Sequence, residues 1–277
     1  MYEPWIGKEM IRTDGLAIET VQRYEALMDR DPFAVKHDDA LDPGLHWLFF
    51  TPIDQQYTLD RNGHVKKGDF FPPVPLPKRM LAGGKIRFDE VVMLGEITER
   101  TSVIKSVEEK QGGTGELCFV TVNHQLQQND EVAIDEDQLI VYTGNGEHGR
   151  LPVRTEALDI APEWKHGYTT DSVILFRFSA LTYNAHRIHY DEPYAREAEG
   201  YPSLVVQGPF LMLLLLEKFA KEHPWRTITE AGYRAVGPMY NGEAITLAGQ
   251  DTGINTTSCR ACGPDGKIAM KAEISWK

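Results

Sequence analysis

Residues 210 to 216 carry an apolar side chain at every position. A helix that is apolar all round offers no face to water, so it must lie inside the protein with the rest of the chain wrapped around it. Its flanks read as helix ends. Gly208-Pro209 precedes the run, and proline suits the first helical position, where its missing N–H costs nothing. Lys218, Lys221 and His223 stand in the last turns, where the helix dipole favours cations, and Pro224 follows. The wrapping material is clearest at the end of the chain. Ile268, Met270, Ala272, Ile274 and Trp276 alternate with Lys267, Lys271, Glu273 and Ser275. One face of such a strand is buried and the other solvated, which argues for an antiparallel sheet.

The same two patterns recur earlier. Residues 16 to 28 have the spacing of an amphipathic helix, stopped at Asp31-Pro32. Residues 32 to 84 read as irregular, with Pro43-Gly44, Arg61-Asn62-Gly63 and a proline-rich run at 72 to 77. Long irregular segments inside compact domains are usually functional or mobile. Strands are expected from Lys85 onward: one starting with Ile86, Phe88 and Glu90, longer ones at 97 to 109 and 117 to 127 around a glycine-rich turn, and a short one at 139 to 143. Residues 144 to 162 are polar, with Gly and Pro, and make the best boundary. Alternation predicts a further strand at 171 to 181. The buried helix at 209 to 222 and strands at about 227–236, 242–250, 254–261 and 267–276 complete the chain. Each half thus offers a helix and an antiparallel meander. The class is α+β, with domains expected at 1 to 150 and 155 to 277.

Charge and composition exclude several roles. The net charge is −12, and a nucleic-acid surface would need a basic stripe. No apolar run approaches the roughly 20 residues of a membrane span, and the first residues lack the features of a secretory signal. Three cysteines suit a reducing compartment, and cytoplasmic placement is expected. Cys259 and Cys262 form a lone C-x-x-C, without the second pair that a zinc site would have.

The chemistry concentrates between residues 176 and 212. Asn184, His186 and His189 cluster in a loop, and Gly208 opens the buried helix. A histidine is the side chain best suited to move protons near neutral pH. A helix N-terminus presents free N–H groups and partial positive charge, fit to hold an oxygen that gains negative charge. His186, His189 and Asp191 also have the composition of a metal cluster, but the segment lacks the fixed element a metal site usually stands on.

This stretch resembles the hydratase motif of the MaoC-like, or (R)-specific enoyl-CoA hydratase, superfamily, in which Gly-Asp-x-Asn-Pro-aliphatic-His is followed by an aliphatic-His-Gly step into a long helix. The matching run is Tyr183-Asn184-Ala185-His186-Arg187-Ile188-His189, then Gln207-Gly208. Ser179-Ala180-Leu181-Thr182-Tyr183-Asn184 and Glu199-Gly200-Tyr201-Pro202 are similar to the branch holding type 2 hydroxyacyl-thioester dehydratases and mesaconyl-C4-CoA and itaconyl-CoA hydratases. Further likeness lies in residues 77 to 84 and in Phe119-Val120-Thr121-Val122. The resemblance implies a double hotdog: two antiparallel sheets, each wrapping a central helix, packed as a pseudo-dimer. A homodimer of such chains is compatible with it.

The resemblance also implies the activity, addition of water to a conjugated enoyl-CoA or its reversal, with no metal or redox cofactor. The catalytic histidine falls on His189, the oxyanion-binding glycine on Gly208, and the catalytic aspartate on Asn184. An amide cannot transfer a proton. Either His189 carries all proton transfer while Asn184 holds the water, or Asp191 or Glu199 supplies a carboxylate. A short dicarboxylic acyl group, itaconyl or mesaconyl, is expected, with His186 or Arg187 on its free carboxylate. Lys78, Arg79, Lys85 and Arg87 form a basic cluster, expected to bind the CoA phosphates with help from Gly83-Gly84. The alternatives are a 3-hydroxyacyl-thioester dehydratase of fatty-acid synthesis, a hotdog thioesterase, and a thioester-binding protein without turnover.

Overall fold

The computed structural model describes residues 2–112, 115–144 and 153–277. Residues 113 and 114 of the glycine-rich turn and residues 145–152 of the expected interdomain boundary, among them the expected first-domain end at 150, lie outside the described residues. The first half contains β1 (Glu9–Asp14), α1 (Ile18–Leu27), β2 (Lys78–Phe88), β3 (Thr98–Gly112), β4 (Gly115–Gln128) and β5 (Glu131–Thr143). The second contains β6 (Trp164–Thr169), α2 (Ser172–Leu181), α3 (Glu192–Glu197), α4 (Gly208–Glu222), β7 (Ile228–Ala235), β8 (Ala244–Gly253), β9 (Thr256–Cys262) and β10 (Ile268–Trp276).

Among the described residues the strands form a single sheet in the order β1-β3-β4-β5-β2-β7-β10-β9-β8-β6. Every pairing is antiparallel. The order mirrors itself about the β2–β7 junction, so each half contributes one sheet and the two meet edge to edge. That junction explains Gly83 and Gly84. A Cβ at Gly83 would stand 2.4 Å from the Tyr233 carbonyl oxygen, and one at Gly84 would stand 2.6 Å from the Tyr233 hydroxyl. The glycines let the two halves close on each other.

The helix α4 is buried from Phe210 to Leu216 and again at Phe219, and it packs on β8, β9 and β10. Each such side chain contributes roughly 1.5–3 kcal/mol by leaving water. In the first half, α1 packs on α2. The 3-10 turn Leu45–Leu48 reaches the sheet there instead, with His46 and Trp47 both bonded to Glu136 of β5.

Four sequence expectations change. Residues 171–181 are a helix, not a strand. Asp171 caps it, its side chain accepting from the Ile174 N–H at 2.8 Å, and Leu175, Phe178 and Ser179 form its buried stripe. A segment with so many adjacent apolar residues fits both periods, and the capping residue decides between them. β2 begins at Lys78, inside the span read as irregular, and the strand expected at 139–143 is the end of the longer β5. β1 and β6 are short strands, partnered to β3 and β8 alone, that alternation did not reveal.

Candidate active site

The helix α2 delivers the loop that carries the motif. Its end is a Schellman turn: the Asn184 N–H reaches the Ser179 carbonyl at 2.8 Å and the Tyr183 N–H reaches that of Ala180 at 3.3 Å. Tyr183 sits at φ +51°, where glycine would be usual, at a cost of roughly 1–2 kcal/mol. Asn184 then turns the chain. Its side-chain oxygen accepts from the His186 N–H at 3.0 Å, leaving the amide NH2 without a bond among the described residues. A 3-10 turn, Arg187–His189, follows.

His189 is buried, and its Nδ1 lies 2.7 Å from the Val205 carbonyl. A carbonyl can only accept, so Nδ1 carries the proton and Nε2 keeps a free lone pair. Burial pushes the His189 pKa down to about 4, the Val205 bond opposing it only in part. The ring is therefore neutral near pH 7, with its basic nitrogen available.

A histidine that the sequence reading passed over completes the cluster. The turn around Arg61-Asn62-Gly63 comes from the first half and docks on this loop. Gly63 lies at φ +92°, and a Cβ there would stand 1.8 Å from the Ala185 carbonyl oxygen. The Arg187 N–H donates to the Asn62 carbonyl at 3.0 Å. This seats the His64 ring 4.0 Å from that of His186, which stands edge-on to His189 at 5.4 Å. Burial, then the His189 and Arg79 charges, drives the His186 pKa down to about 2. Burial and then Arg79 push His64 well below its usual value. The signal for His64 was the Asn-Gly turn in a long irregular segment.

Gly208 opens α4, which has no side-chain cap. Its N–H makes no hydrogen bond among the described residues. Gln207, where the family motif has histidine, is buried, with its Nε2 spent elsewhere and its Oε1 unpartnered. Its Nε2 donates to the Leu175 carbonyl and the Ser179 hydroxyl, both at 2.9 Å, tying α2 to α4.

The charged residues divide differently from the expectation. Arg187 is occupied: Asp191 binds its guanidinium at 2.7 and 3.0 Å, and the group lies 4.0 Å over the Tyr194 ring. The four basic residues of β2 do not converge. Lys85 and Arg87 alternate with the core residues Ile86 and Phe88, so they project from the other face. There Lys85 pairs with Glu230 at 2.8 Å and Arg87 with Asp135 at 3.0 Å. Lys78 lies 3.8 Å from Glu199 and over the Tyr201 ring. Arg79 alone turns toward the histidines. Of the alternative carboxylates, Asp191 is held low by Arg187 and caps α3, and Glu199 accepts from the Tyr194 hydroxyl at 3.1 Å. No group of three His, Cys, Asp or Glu side chains among the described residues is placed to hold a metal ion. Cys259 and Cys262 are free and buried. No helix of the described residues is long and apolar enough to cross a membrane.

Comparison with known proteins places the family and the fold. Residues 44–241 match the family model of type 2 hydroxyacyl-thioester dehydratases. The chain is 37% identical over 270 residues to a mesaconyl-C(4)-CoA hydratase of Chloroflexus aurantiacus, covering 98% of this chain and 96% of the relative. Its fold matches a solved MaoC-like dehydratase with a TM-score of 0.73 at 14% identity, over 100% of this chain and 99% of the other. It also matches a Mycobacterium tuberculosis protein described as a double hotdog, with a TM-score of 0.62 at 10% identity over 98% and 96% of the two chains. The mirrored sheet, the buried α4 and these likenesses place the chain in the type 2 hydroxyacyl-thioester dehydratase family, hydro-lyases of the MaoC-like, double-hotdog kind.

Proposed function

We propose that the protein hydrates a short dicarboxylic enoyl-CoA, mesaconyl-C4-CoA or itaconyl-CoA, to citramalyl-CoA. The observation that carries this reading is the locked His189 ring, neutral and with Nε2 free, in a loop bonded to Val205 three residues before the uncapped start of α4. With mesaconyl-C4-CoA, whose double bond is conjugated with the thioester, His189 Nε2 takes a proton from water as the water oxygen bonds to the β-carbon. The π electrons move to the thioester oxygen, which the Gly208 N–H stabilises as an enolate. His189 then returns its proton to the α-carbon, so atoms and charge balance and the chemistry needs no metal or redox cofactor. The free Asn184 amide is placed to hold the water, and both hydrogens of its NH2 are donors. His189 thus does all the proton transfer, because Asp191 and Glu199 are engaged elsewhere.

Similarity to a mesaconyl-C(4)-CoA hydratase along almost the full length supports the acyl group. The family match keeps dehydration of a 3-hydroxyacyl thioester as the second reading. Thioesterase chemistry is disfavoured, since the Gln207 Nε2 is spent on α2 and the first turn of α4 carries no acidic residue. Three free thiols suit a reducing compartment such as the cytoplasm, and a homodimer of double-hotdog chains is compatible with this reading. The test is a panel of enoyl-CoA thioesters followed by loss of the conjugated-enoyl absorbance, with free thiol assayed in parallel. Absorbance loss without thiol release is the expected result. Thiol release would make the protein a thioesterase, and no change in either would make it a binder.

A further inference from the structure

Arg79 stands apart from the other arginines near the site. It is half-buried, with no carboxylate within ion-pair distance among the described residues, in a chain with 41 acidic and 29 basic residues. A guanidinium taken partly out of water without a counter-charge is costly, so such a residue is usually kept for a ligand. It lies 5.1 Å over the Phe71 ring and directly opposite Tyr142 in the β2–β5 ladder. Leu81, two residues along the same strand face, is the side chain that lies over Gly208. Arg79 therefore looks toward the start of α4.

Besides the Gln207 Oε1, two polar groups there are unspent. The Tyr142 hydroxyl is fully buried and makes no hydrogen bond, and the His64 Nδ1 is buried and also unpartnered. Burial pushes the Tyr142 phenol up and the adjacent Arg79 charge offsets part of that, so the two lie close together. Lys67 does not compete, because its Nζ donates to the Val74 and Leu76 carbonyls. With His64 and His186 both held neutral, the local charge is positive: Arg79 supplies the charge not committed to backbone carbonyls, and the Lys67 Nζ, 5.7 Å over the Tyr142 ring, adds to it.

We propose that Arg79, with the Tyr142 hydroxyl and His64, binds the free carboxylate of the substrate's acyl group. The proposal rests on the hydratase reading above and deepens it. One planar guanidinium and two neutral donors match one carboxylate, which accepts in a fork. Distance separates this ligand from the CoA phosphates. Arg79 acts on His186, whose ring is 5.4 Å from His189. At bond lengths of about 1.5 Å, a free carboxylate on a four- or five-carbon acyl group lies within a few ångströms of the hydrated carbon. The phosphates lie beyond the pantetheine arm, more than about ten bonds away, so Arg79 is misplaced for them.

The experiment compares mesaconyl-C4-CoA with crotonyl-CoA, which has the same conjugated thioester without the carboxylate. Wild type, Arg79→Ala, Arg79→Lys and Tyr142→Phe are assayed, with far-UV circular dichroism to confirm folding. Arg79→Ala is expected to lower kcat/KM for the diacid roughly 100-fold, mainly through KM. The loss with crotonyl-CoA should be at least tenfold smaller. Arg79→Lys restores part of the discrimination, and Tyr142→Phe loses roughly tenfold of it, as expected for charge-assisted hydrogen bonds. Equal losses with both thioesters that vanish with acyl-pantetheine would assign Arg79 to the phosphates and overturn the proposal, as would an Arg79→Ala enzyme with unchanged discrimination. If neither thioester is hydrated, the hydratase reading fails. Calorimetric titration with the same two thioesters then judges the pocket separately. A wild-type preference for the diacid that Arg79→Ala erases upholds it, and equal binding of both by wild type refutes it.

Discussion

The two buried histidine clusters of this protein are built to opposite ends. At the catalytic loop, His189 and His186 of the second half and His64 of the first have no carboxylate among their bonded partners, and His189 Nε2, the His64 Nδ1 and the Asn184 amide are left unspent. At the junction of the halves, a carboxylate sits at the centre. Glu136 accepts from Tyr233 at 3.1 Å and Trp47 at 2.9 Å and lies 3.1 Å from His46 Nε2. Burial alone would raise the Glu136 pKa, but the His46 and Trp47 bonds and the nearby histidines outweigh it and bring it down to about 2. Beside it, His124 is bonded to Ser102 at 2.8 Å and, by burial first, lowered to about 4. A cluster built round a carboxylate that its neighbours satisfy holds structure, even though the His46 Nδ1 there stays unpartnered; one with no carboxylate among its bonds, a free ring nitrogen and a free amide is prepared for a ligand. Tyr233 belongs to the second half and Glu136 to the first, so the satisfied cluster also fastens the two halves together.

The largest effect that would test this contrast is on turnover. His189→Ala should lower kcat at least about 100-fold, as loss of a general base does, with the thermal midpoint nearly unchanged. A folded variant that retains near-normal kcat would remove His189 from the chemistry. Glu136→Gln should do the reverse. It should destabilise the fold by roughly 1.5–3 kcal/mol, the cost of weakening charge-assisted hydrogen bonds in the interior, while kcat per folded molecule stays within about twofold. Denaturant unfolding alongside a rate assay separates the two outcomes.

The clusters should also respond to different ranges of pH. A base held to about 4 loses its lone pair only near pH 4, so the acid limb of kcat/KM should fall there rather than near 6.5. For stability, His64, His186 and His189 have folded pKa values below that of an unfolded histidine. Below about pH 6.5 the unfolded chain takes up protons that the folded chain refuses, so stability falls as pH drops from about 6.5 toward 4. Glu136 is depressed below its unfolded value of 4.5. Its contribution is present above about 4.5 and is lost as pH falls toward 2. Replacing His64 and His186 by Gln should make the first window shallower, with His189 and His124 still contributing to it, and should leave the Glu136 loss below about 4.5 in place. An unchanged first window would show that these rings titrate normally.

Asn184 should give a smaller effect. Asp can still accept the His186 N–H and keep the turn, but it lacks the amide NH2 and adds a titrating group. Asn184→Asp is expected to retain partial activity with a shifted pH profile, and Asn184→Ala, which loses the turn as well, to cost roughly tenfold more. Equal activity of Asn184→Ala and wild type would take Asn184 out of the site. The smallest effect belongs to Lys85 and Arg87. Their ion pairs are exposed and contribute at most about 1 kcal/mol, so Lys85→Ala and Arg87→Ala should leave the KM for acyl-CoA within about twofold. A clear rise in KM that weakens at high salt would return them to the phosphate-binding role.

Much of this was legible in the sequence by itself. The unbroken apolar run determined that α4 is buried, and period-two alternation determined the antiparallel strands of the second half, because both follow from local partition between water and interior. The motif located His189 and Gly208 at the two ends of one loop. Tertiary structure decided what local pattern cannot carry. Residues 171–181 suit either period, and packing on α1 together with the Asp171 cap selected a helix. His64 joins the site only because the turn at Gly63 fits against Ala185, far along the chain. The charges of Arg79, Lys85 and Arg87 are equally plain in the sequence, but their availability is not. Asp135 and Glu230 neutralise two of them across neighbouring strands, and only the third faces inward without a carboxylate. Whether a charge is spent depends on which distant residue the fold brings within about 4 Å of it, and that distance is a property of the folded chain.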